Sequence, residues 1–296
     1  MNLAFIGLGN MGGPMAANLV AAGHRVTGFD PVPVACAAAR AAGVAVAESP
    51  AGAVAGAEAV ITMLPNGEIV LDVYADLLPA AGPGALFVDS STIAVAQAQQ
   101  AAALAVAAGH RAVDAPVSGG VGGATAGTLT FMVGGPGEVV EAARAVLEPM
   151  AGRIVACGDS GAGQTAKLCN NLILGVSMAA VSEAFILGER LGLSHQALFD
   201  VASTSSGQCW ALTSNCPVPG PVPASPANRD YQPGFAAALM NKDLGLALAA
   251  AREVGLDAAL GTLAGALYRT MADGEAGGRD FSAVIDLIRA ESPRPA

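Results

Sequence analysis

Short apolar runs alternate with alanine-rich helical stretches through the first half of the chain, and Gly, Pro or Asp bounds each run. This alternation is typical of βαβ units and predicts a mostly parallel sheet. A helix is also expected over residues 137–150. The predicted strands lie at residues 3–6, 25–29, 59–63, 85–88, 111–113, 128–133 and 154–157.

After Gly163 the pattern changes to long helical stretches without a convincing strand. Residues 164–191 predict one helix that is apolar nearly all round and therefore buried. Residues 216–232 are rich in proline and predict a loop. We therefore expect an α/β domain over residues 1–161 and an all-α domain over residues 162–296. Further helices are predicted at residues 195–202, 235–254, 257–271 and 281–290.

Composition narrows the class of protein. The 296 residues are enough for about two domains with substantial cores. With 14 basic and 24 acidic residues the net charge is −10, which disfavours a nucleic-acid partner. The five cysteines show no zinc-ligand spacing, so we expect no metal site and a reducing, cytoplasmic location. The longest apolar stretch, residues 172–181, is too short to span a bilayer, so no membrane partner is expected.

Lysine occurs only at Lys167 and Lys242, and every other cation is arginine. A buried ammonium group can give up its proton, whereas a guanidinium group stays charged. The two lysines therefore either serve chemistry or are ordinary surface residues, and their number alone leaves both interpretations open.

A glycine motif follows the first predicted strand and opens a helix: Gly7-Leu8-Gly9-Asn10-Met11-Gly12. Asp30 ends the second strand, 18 residues beyond the last glycine of the motif. This arrangement holds a pyrophosphate on a helix N-terminus while the carboxylate binds the adenosine ribose, which predicts a Rossmann domain. Because residues 31–34 contain no Arg to neutralise a 2′-phosphate, NAD is the expected cofactor rather than NADP.

Two further segments lie at the carboxyl ends of predicted strands, where cofactor contacts are expected. They contain Leu64, Pro65, Asn66 and Thr92. For Asn66 and Thr92, capping of the following helix is an equally good interpretation of the spacing.

Three more segments complete the candidate chemistry, so that five motifs lie at residues 7–15, 88–92, 114–124, 163–171 and 239–244. In type and order these motifs resemble those of the β-hydroxyacid dehydrogenase family, over essentially the whole chain. The resemblance implies an N-terminal Rossmann domain, a helical C-terminal domain and an active site in the cleft between them. It also implies homodimers or homotetramers.

By position, Lys167 resembles the catalytic lysine of that family and Asn171 its substrate-orienting neighbour. The loop Ser118-Gly119-Gly120 is similar to the one that holds the substrate carboxylate. The residues agree with these roles, because Gln164, Lys167 and Asn171 share one helix face and a substrate can partner such a polar stripe. A general base needs the pKa of lysine lowered from about 10.4 to about 7.5, and burial beside a positive nicotinamide acts in that direction.

Four other positions follow the family pattern. Lys242 is similar to the lysine that lines the cofactor and substrate cleft, and Thr92 to the residue near the nicotinamide. Asp243 and Phe235 match substrate-site positions, with Phe235 facing the pocket. The sole tryptophan, Trp210, either borders the pocket or belongs to the core.

Within the family, the pattern is most similar to the branch that oxidises (S)-3-hydroxyisobutyrate to methylmalonate semialdehyde in valine breakdown. Relatives acting on tartronate semialdehyde, glyoxylate, succinic semialdehyde or serine share the core motifs, so the small hydroxyacid substrate stays open. A non-catalytic NAD-binding protein is the alternative from another class. A 6-phosphogluconate enzyme is disfavoured, because the chain is short and no Arg cluster awaits a phosphate near the catalytic helix.

Overall fold

The computed structural model describes residues 1–292 of the chain. They form two compact units, one over Met1–Lys167 and one from Leu168 onwards. The border between the units falls inside a long helix rather than in a linker. The assignment of residues 1–161 to the cofactor and of residues 162–296 to the substrate and to oligomerisation stays a prediction.

Within the described residues, a nine-stranded sheet organises the first unit. Its strands are β1 (Asn2–Ile6), β2 (Arg25–Phe29), β3 (Ala45–Val46), β4 (Ala59–Thr62), β5 (Leu86–Asp89), β6 (Arg111–Asp114), β7 (Val117–Ser118), β8 (Leu129–Gly134) and β9 (Ala151–Gly158). They follow the order β3-β2-β1-β4-β5-β6-β8-β7, with β9 beside β8. Pairing is parallel from β3 to β6, whereas β8 is antiparallel to β6 and β7. The first six strands have the Rossmann order, so the predicted fold class is confirmed.

Helices connect these strands. They are α1 (Gly12–Ala21), α2 (Pro33–Ala41), α3 (Pro50–Val54), α4 (Gly67–Leu77), α5 (Val95–Ala107), α6 (Gly120–Ala126) and α7 (Gly137–Leu147). A 3-10 turn, Glu148–Met150, extends α7, so the predicted helix over residues 137–150 is close to the observed one.

Both faces of the central part of the sheet are buried. Leu3 and Phe5 of β1 belong to one core cluster, and Ala4 and Ile6 belong to the cluster on the opposite face. Successive side chains of a strand point to opposite faces, so a strand that is buried on both sides has a continuous apolar run. The parallel strands are therefore visible in the sequence as short apolar runs.

The second unit is helical. Its helices are α8 (Ala162–Arg190), which begins in the first unit, α9 (His195–Ala202), α10 (Trp210–Thr213), α11 (Ala237–Glu253), α12 (Ala259–Asp273) and α13 (Val284–Glu291). Its 3-10 turns are Pro226–Arg229, Glu275–Gly278 and Phe281–Ala283. Over residues 168–292 the only β-pairing is an isolated bridge between Ala236 and Asp280, as the all-α prediction requires.

The proline-rich segment over residues 216–232 packs into the core of the second unit. Cys216 and Val222 are buried there, and the hydroxyl of Ser225 donates to the carbonyl oxygen of Cys216 at 2.5 Å. Ser225 also caps the 3-10 turn Pro226–Arg229 by accepting from a backbone N–H of that turn. The prediction of a loop without any element was therefore wrong over these four residues.

Helix α8 is not buried all round. Ile173 and Leu187 are 68 % and 60 % exposed in the single chain, so the prediction of a fully buried helix was wrong. By length and composition α8 could also cross a membrane. The most apolar 18 residues of the helix have a mean hydropathy of 1.6, and 39 % of them are buried. The helix is longer than the apolar run over residues 172–181 because it continues through Ser182 and Glu183. The core helix of a soluble protein passes the same test, so this is weak evidence for a membrane span.

Candidate active site

The glycine motif connects β1 to α1. Gly7 has a φ of +94°, and a Cβ there would collide with the carbonyl oxygen of Met63, while one at Gly12 would collide with the carbonyl oxygen of Gly7. A Cβ at Gly9 would meet no protein atom within 4 Å, so the space beside it is open to a ligand. The first turn of α1 contains no acidic residue and no side-chain cap, which leaves backbone N–H groups for an anion. This cradle fits the pyrophosphate of NAD.

Asp30 follows β2 and is tied to the glycine motif. Its carboxylate accepts hydrogen bonds of 2.8 Å from the backbone N–H groups of Leu8 and Val32. The side chain is half-buried, so it is fixed in orientation and still accessible to a ribose. Asn10 is exposed and Met11 is half-buried on the same loop.

The structure gives different answers for Asn66 and Thr92, the two residues for which helix capping was an alternative interpretation. Asn66 caps α4, because its Oδ1 accepts from the N–H of Ile69 at 3.0 Å. The residue at the N-cap of α5 is Ala94, so capping no longer explains Thr92. Pro65, beside Asn66, is exposed.

A buried network lies at the ends of β4 and β5, and its central residue, Asp89, was missed in the sequence. Asp89 Oδ1 accepts from the hydroxyls of Thr62 at 2.8 Å and Ser91 at 2.6 Å. The hydroxyl oxygen of Ser91 in turn accepts from the N–H of Leu64 at 2.8 Å. Burial raises the pKa of Asp89 to about 6. An acidic residue directly after an apolar run was the signal that could have identified it.

The Ser118 loop connects β7, which ends at Ser118, to α6, which begins at Gly120. Gly119 and Gly120 have φ values of +134° and +60°, a region that side chains other than glycine rarely adopt. Ser118 is half-buried and Gly119 is exposed, so a hydroxyl and backbone N–H groups face accessible space. Such a loop suits a carboxylate.

The first turn of α8 carries Gln164, and Lys167 lies one turn later. Lys167 is only 7 % exposed, and Gln164 is fully buried. The side-chain amide of Gln164 donates to the carbonyl oxygen of Ser91 at 2.7 Å and accepts from the N–H of Ile93 at 3.2 Å. The expectation that a substrate partners Gln164 was therefore wrong, because the backbone of a distant segment satisfies its amide.

The second unit brings Asn171, Asp243 and Lys242 together. The amide of Asn171 donates to Asp243 at 2.5 Å, and the Lys242 ammonium lies 3.5 Å from the other carboxylate oxygen. Asn171 and Asp243 are buried, whereas the Lys242 side chain is partly exposed. Phe235 is half-buried and packs edge-on against Phe281, with ring centroids 5.8 Å apart.

Trp210 begins α10 and is 54 % exposed, which rules out the core role. Within residues 1–292, no group of three or more His, Cys, Asp or Glu side chains is placed to hold a metal.

Comparisons with protein families match both halves of the chain. Residues 2–158 match the NAD-binding domain of 6-phosphogluconate dehydrogenase. Residues 161–288 match the family described as NAD-binding of NADP-dependent 3-hydroxyisobutyrate dehydrogenase.

Individual relatives agree with this result. The chain is 58 % identical over 290 residues to a probable 3-hydroxyisobutyrate dehydrogenase of Mycobacterium tuberculosis, covering 98 % of both chains. It is 47 % identical over 289 residues to the NAD-dependent L-serine dehydrogenase of Pseudomonas aeruginosa, covering 97 % of both. A solved structure of the M. tuberculosis 3-hydroxyisobutyrate dehydrogenase with L-serine is similar at a TM-score of 0.93 and 57 % identity, covering 97 % of this chain and 99 % of that one.

These similarities extend over nearly the full length of the chain, and they agree with the Rossmann sheet, the glycine cradle and Asp30. They confirm the family resemblance, the oxidoreductase class and NAD as the cofactor. The chain therefore belongs to the 3-hydroxyisobutyrate dehydrogenase family, a group of NAD-dependent β-hydroxyacid oxidoreductases acting on CH–OH groups.

Proposed function

We propose that this enzyme oxidises (S)-3-hydroxyisobutyrate to methylmalonate semialdehyde within valine breakdown. The observation that carries the proposal is the burial of Lys167, at 7 % exposure, one helical turn before Asn171. An ammonium group that is shielded from water can release its proton near neutral pH, because burial disfavours the charged form. The names of the relatives support the substrate.

Lys167 is proposed as the general acid and base. Its neutral amine takes the proton of the substrate hydroxyl while the hydrogen on the same carbon departs as hydride. Bound NAD supplies the acceptor for that hydride. In the reverse direction the Lys167 ammonium group returns the proton to the carbonyl oxygen. Arginine could perform neither step, because its guanidinium does not release a proton in proteins.

Two segments are proposed to hold the substrate. The hydroxyl of Ser118 and the backbone N–H groups of Gly119 and Gly120 bind the carboxylate. Asn171, whose amide is oriented by Asp243, positions the substrate for the base. Phe235 supplies an apolar wall.

The glycine cradle and Asp30 are proposed to hold the pyrophosphate and adenosine ribose of NAD. Since the Oδ1 of Asn66 already caps α4, that residue would contribute through its amide N–H group. The full proposed cofactor set is Gly7, Leu8, Gly9, Asn10, Met11, Gly12, Asp30, Leu64, Pro65, Asn66, Thr92 and Lys242.

We expect a cytoplasmic enzyme that forms a homodimer or homotetramer. The exposed Ile173 and Leu187 on α8 support self-association, because large apolar side chains in one stripe favour burial against another surface.

Oxidation of L-serine is the second candidate activity. L-Serine has the same hydroxymethyl and carboxylate groups as hydroxyisobutyrate, with an ammonium group in place of the methyl group. The observation that favours it is the similarity to an L-serine dehydrogenase and to a structure with L-serine. The two substrates compete for one site, so their relative kcat/KM values distinguish the candidates.

Steady-state assays with NAD and NADP over a panel of small hydroxyacids and semialdehydes test the substrate. We expect the highest kcat/KM for (S)-3-hydroxyisobutyrate with NAD. Faster turnover of L-serine would favour the second candidate. A preference for tartronate semialdehyde, glyoxylate or succinic semialdehyde, with NADPH as the cofactor, would indicate a reductase. That result would overturn the assigned direction. NAD binding with no turnover on the whole panel would indicate a non-catalytic protein.

Substitution of Lys167 tests the mechanism. Lys167→Ala removes the acid and base, and Lys167→Arg is the matched control that keeps the charge but not the titration. Both should lower kcat by about 100-fold or more while the Kd for NAD is preserved. Because the chain has two lysines, 13C-labelling at lysine Cε gives two resonances, and the pH titration of Lys167 can be followed directly. Unchanged kcat in both variants would overturn the proposed role.

A further inference from the structure

Asp114 holds the beginning of α8 from a different part of the chain. Its two carboxylate oxygens accept from the backbone N–H groups of Gly161 at 2.7 Å and Gln164 at 2.9 Å. The N–H groups of a first helical turn have no partner within their own helix. Asp114, which is 2 % exposed, therefore acts as a long-range cap for α8, 47 residues before Gly161.

The packing around this cap leaves no room for a side chain at Gly163 or Gly134. A Cβ at Gly163 would lie 2.7 Å from a carboxylate oxygen of Asp114 and would collide with the carbonyl oxygen of Met132. A Cβ at Gly134 would lie 2.5 Å from the other oxygen of Asp114 and 2.7 Å from the amide nitrogen of Gly163. Glycine at both positions lets the helix start rest directly on the ends of β6 and β8.

Gln164 makes the second attachment of this turn. Its side chain bridges the carbonyl oxygen of Ser91 and the N–H of Ile93, so both ends of its amide are used. The residue between these two partners is Thr92. The first turn of α8 is therefore bonded to the backbone on both sides of a proposed cofactor residue.

The same two residues join three segments that were proposed to form the site. Asp114 precedes Ser118 by four residues, and Gln164 precedes Lys167 by three residues. Gln164 also bonds the segment that contains Thr92. All of these contacts lie within the first unit, Met1–Lys167.

We propose that Asp114 and Gln164 are positioning residues. They hold the first turn of α8, and so keep the amine of Lys167 at a fixed position relative to the backbone of Ser91–Ile93. This inference rests on the proposed role of Lys167. The helix begins at Ala162, between Gly161 and Gly163, and glycine has little intrinsic preference for a helix, so the external bonds decide where the turn lies. A displacement of about 1 Å at a reacting group can lower a rate about 100-fold.

Asp114→Asn and Gln164→Met test the proposal. The first variant replaces one acceptor oxygen with an NH2 group that faces a backbone N–H, and the second removes both side-chain bonds at similar length. We expect kcat to fall about 10- to 100-fold in each variant, while the Kd for NAD measured by calorimetry changes much less than kcat does. We also expect the 13Cε resonance of Lys167 to move relative to the wild type, because the surroundings of its amine change.

His110→Ala is the control, because His110 lies at the opposite end of the β6 strand. It is buried and its Nε2 lies 3.0 Å from the carbonyl oxygen of Leu78, so its loss lowers thermal stability. We expect this control to reduce Tm without changing kcat or the 13Cε resonance of Lys167.

The outcomes separate the positioning role from a purely structural one. If Asp114→Asn and Gln164→Met lower only Tm, as His110→Ala does, the positioning role is overturned. If Asp114→Asn does not fold, Gln164→Met alone decides, since it retains the Asp114 cap. Wild-type kcat in Lys167→Ala would refute the proposed function itself, and the 13Cε resonance of Lys167 in Gln164→Met would then still report whether the amine had moved.

Discussion

The side-chain amide of Asn171 donates a 2.5 Å hydrogen bond to the carboxylate of Asp243, 72 positions further along the chain. Its oxygen accepts from the amide of Asn170 at 3.0 Å, so the orientation of the Asn171 amide is set from both ends. Lys242 lies 3.5 Å from the other oxygen of Asp243. One buried carboxylate thus orients a proposed substrate residue and contacts a proposed cofactor residue.

Asp243→Ala should therefore lower kcat/KM for the hydroxyacid by about 10- to 100-fold, since a hydrogen bond to a charged group contributes about 1.5–3 kcal/mol. Asp243→Asn keeps an acceptor for Asn171 and should retain more activity. Asp286→Ala, which removes a partly exposed carboxylate of α13, is the control. Steady-state kinetics check the order of the three variants, and equal rates for Asp243→Ala and the control would contradict the orienting role.

Gly9 and Gly12 should respond differently to alanine. A Cβ at Gly9 meets no protein atom within 4 Å, so Gly9→Ala should fold normally and raise the Kd for NAD about 10-fold or more by occupying ligand space. A Cβ at Gly12 would lie 2.9 Å from the Phe5 ring, so Gly12→Ala should also lower the free energy of unfolding by about 1–3 kcal/mol. Calorimetry and urea unfolding separate the effects. Normal NAD affinity in Gly9→Ala would place the pyrophosphate elsewhere.

Asp30→Ala combined with Val32→Arg should shift the cofactor preference towards NADP. The change removes the carboxylate that repels a 2′-phosphate and adds a cation at a position that is 48 % exposed. We expect the ratio of kcat/KM for NAD over NADP to fall about 10- to 100-fold. Asp30→Ala with Val34→Arg, which carries the same charge two residues further on, is the control. An unaltered ratio in the first variant would argue against the ribose role of Asp30.

Asp89 should make the stability of the fold depend on pH. Burial raises its pKa from 3.8 to about 6, so the folded state binds a proton more readily than the unfolded state. The free energy of unfolding should therefore fall as the pH rises from about 4 to about 6, by about 3 kcal/mol from this group. Asp89→Asn removes the titration and should flatten that part of the profile.

Urea unfolding at steps between pH 4 and pH 8 measures this dependence, and Asp76→Asn, at an exposed position on α4, is the control. Parallel profiles for the wild type and Asp89→Asn would show that Asp89 does not titrate in this range.

Local patterns predicted most of the fold. The parallel strands appear as apolar runs because both faces of the central part of the sheet are buried, and the glycine motif appears because its backbone conformations and close contacts exclude a Cβ. Strands β3 and β7 were not predicted, because two residues are too few to show a period. The exposed side of α8 was also missed, since an apolar composition does not say which face is covered.

The candidate residues could be proposed from type and spacing, but their partners could not. Gln164 was expected to meet a substrate, and its partners are instead the backbone groups of Ser91 and Ile93, more than 70 residues earlier. Asp89 and Asp114 lie in two of the sequence motifs but received no role there, and the structure shows them as the centres of hydrogen-bond networks.

The amino-acid sequence alone determined the longer strands and helices, the glycine cradle and the residue types available for chemistry. Apolar periodicity and the special conformations of glycine are properties of neighbouring residues. Only the tertiary structure decided that Asp114 caps α8 and that Asp243 orients Asn171. Packing of the apolar faces brings these segments together, and hydrogen bonds then form between groups that no local pattern pairs.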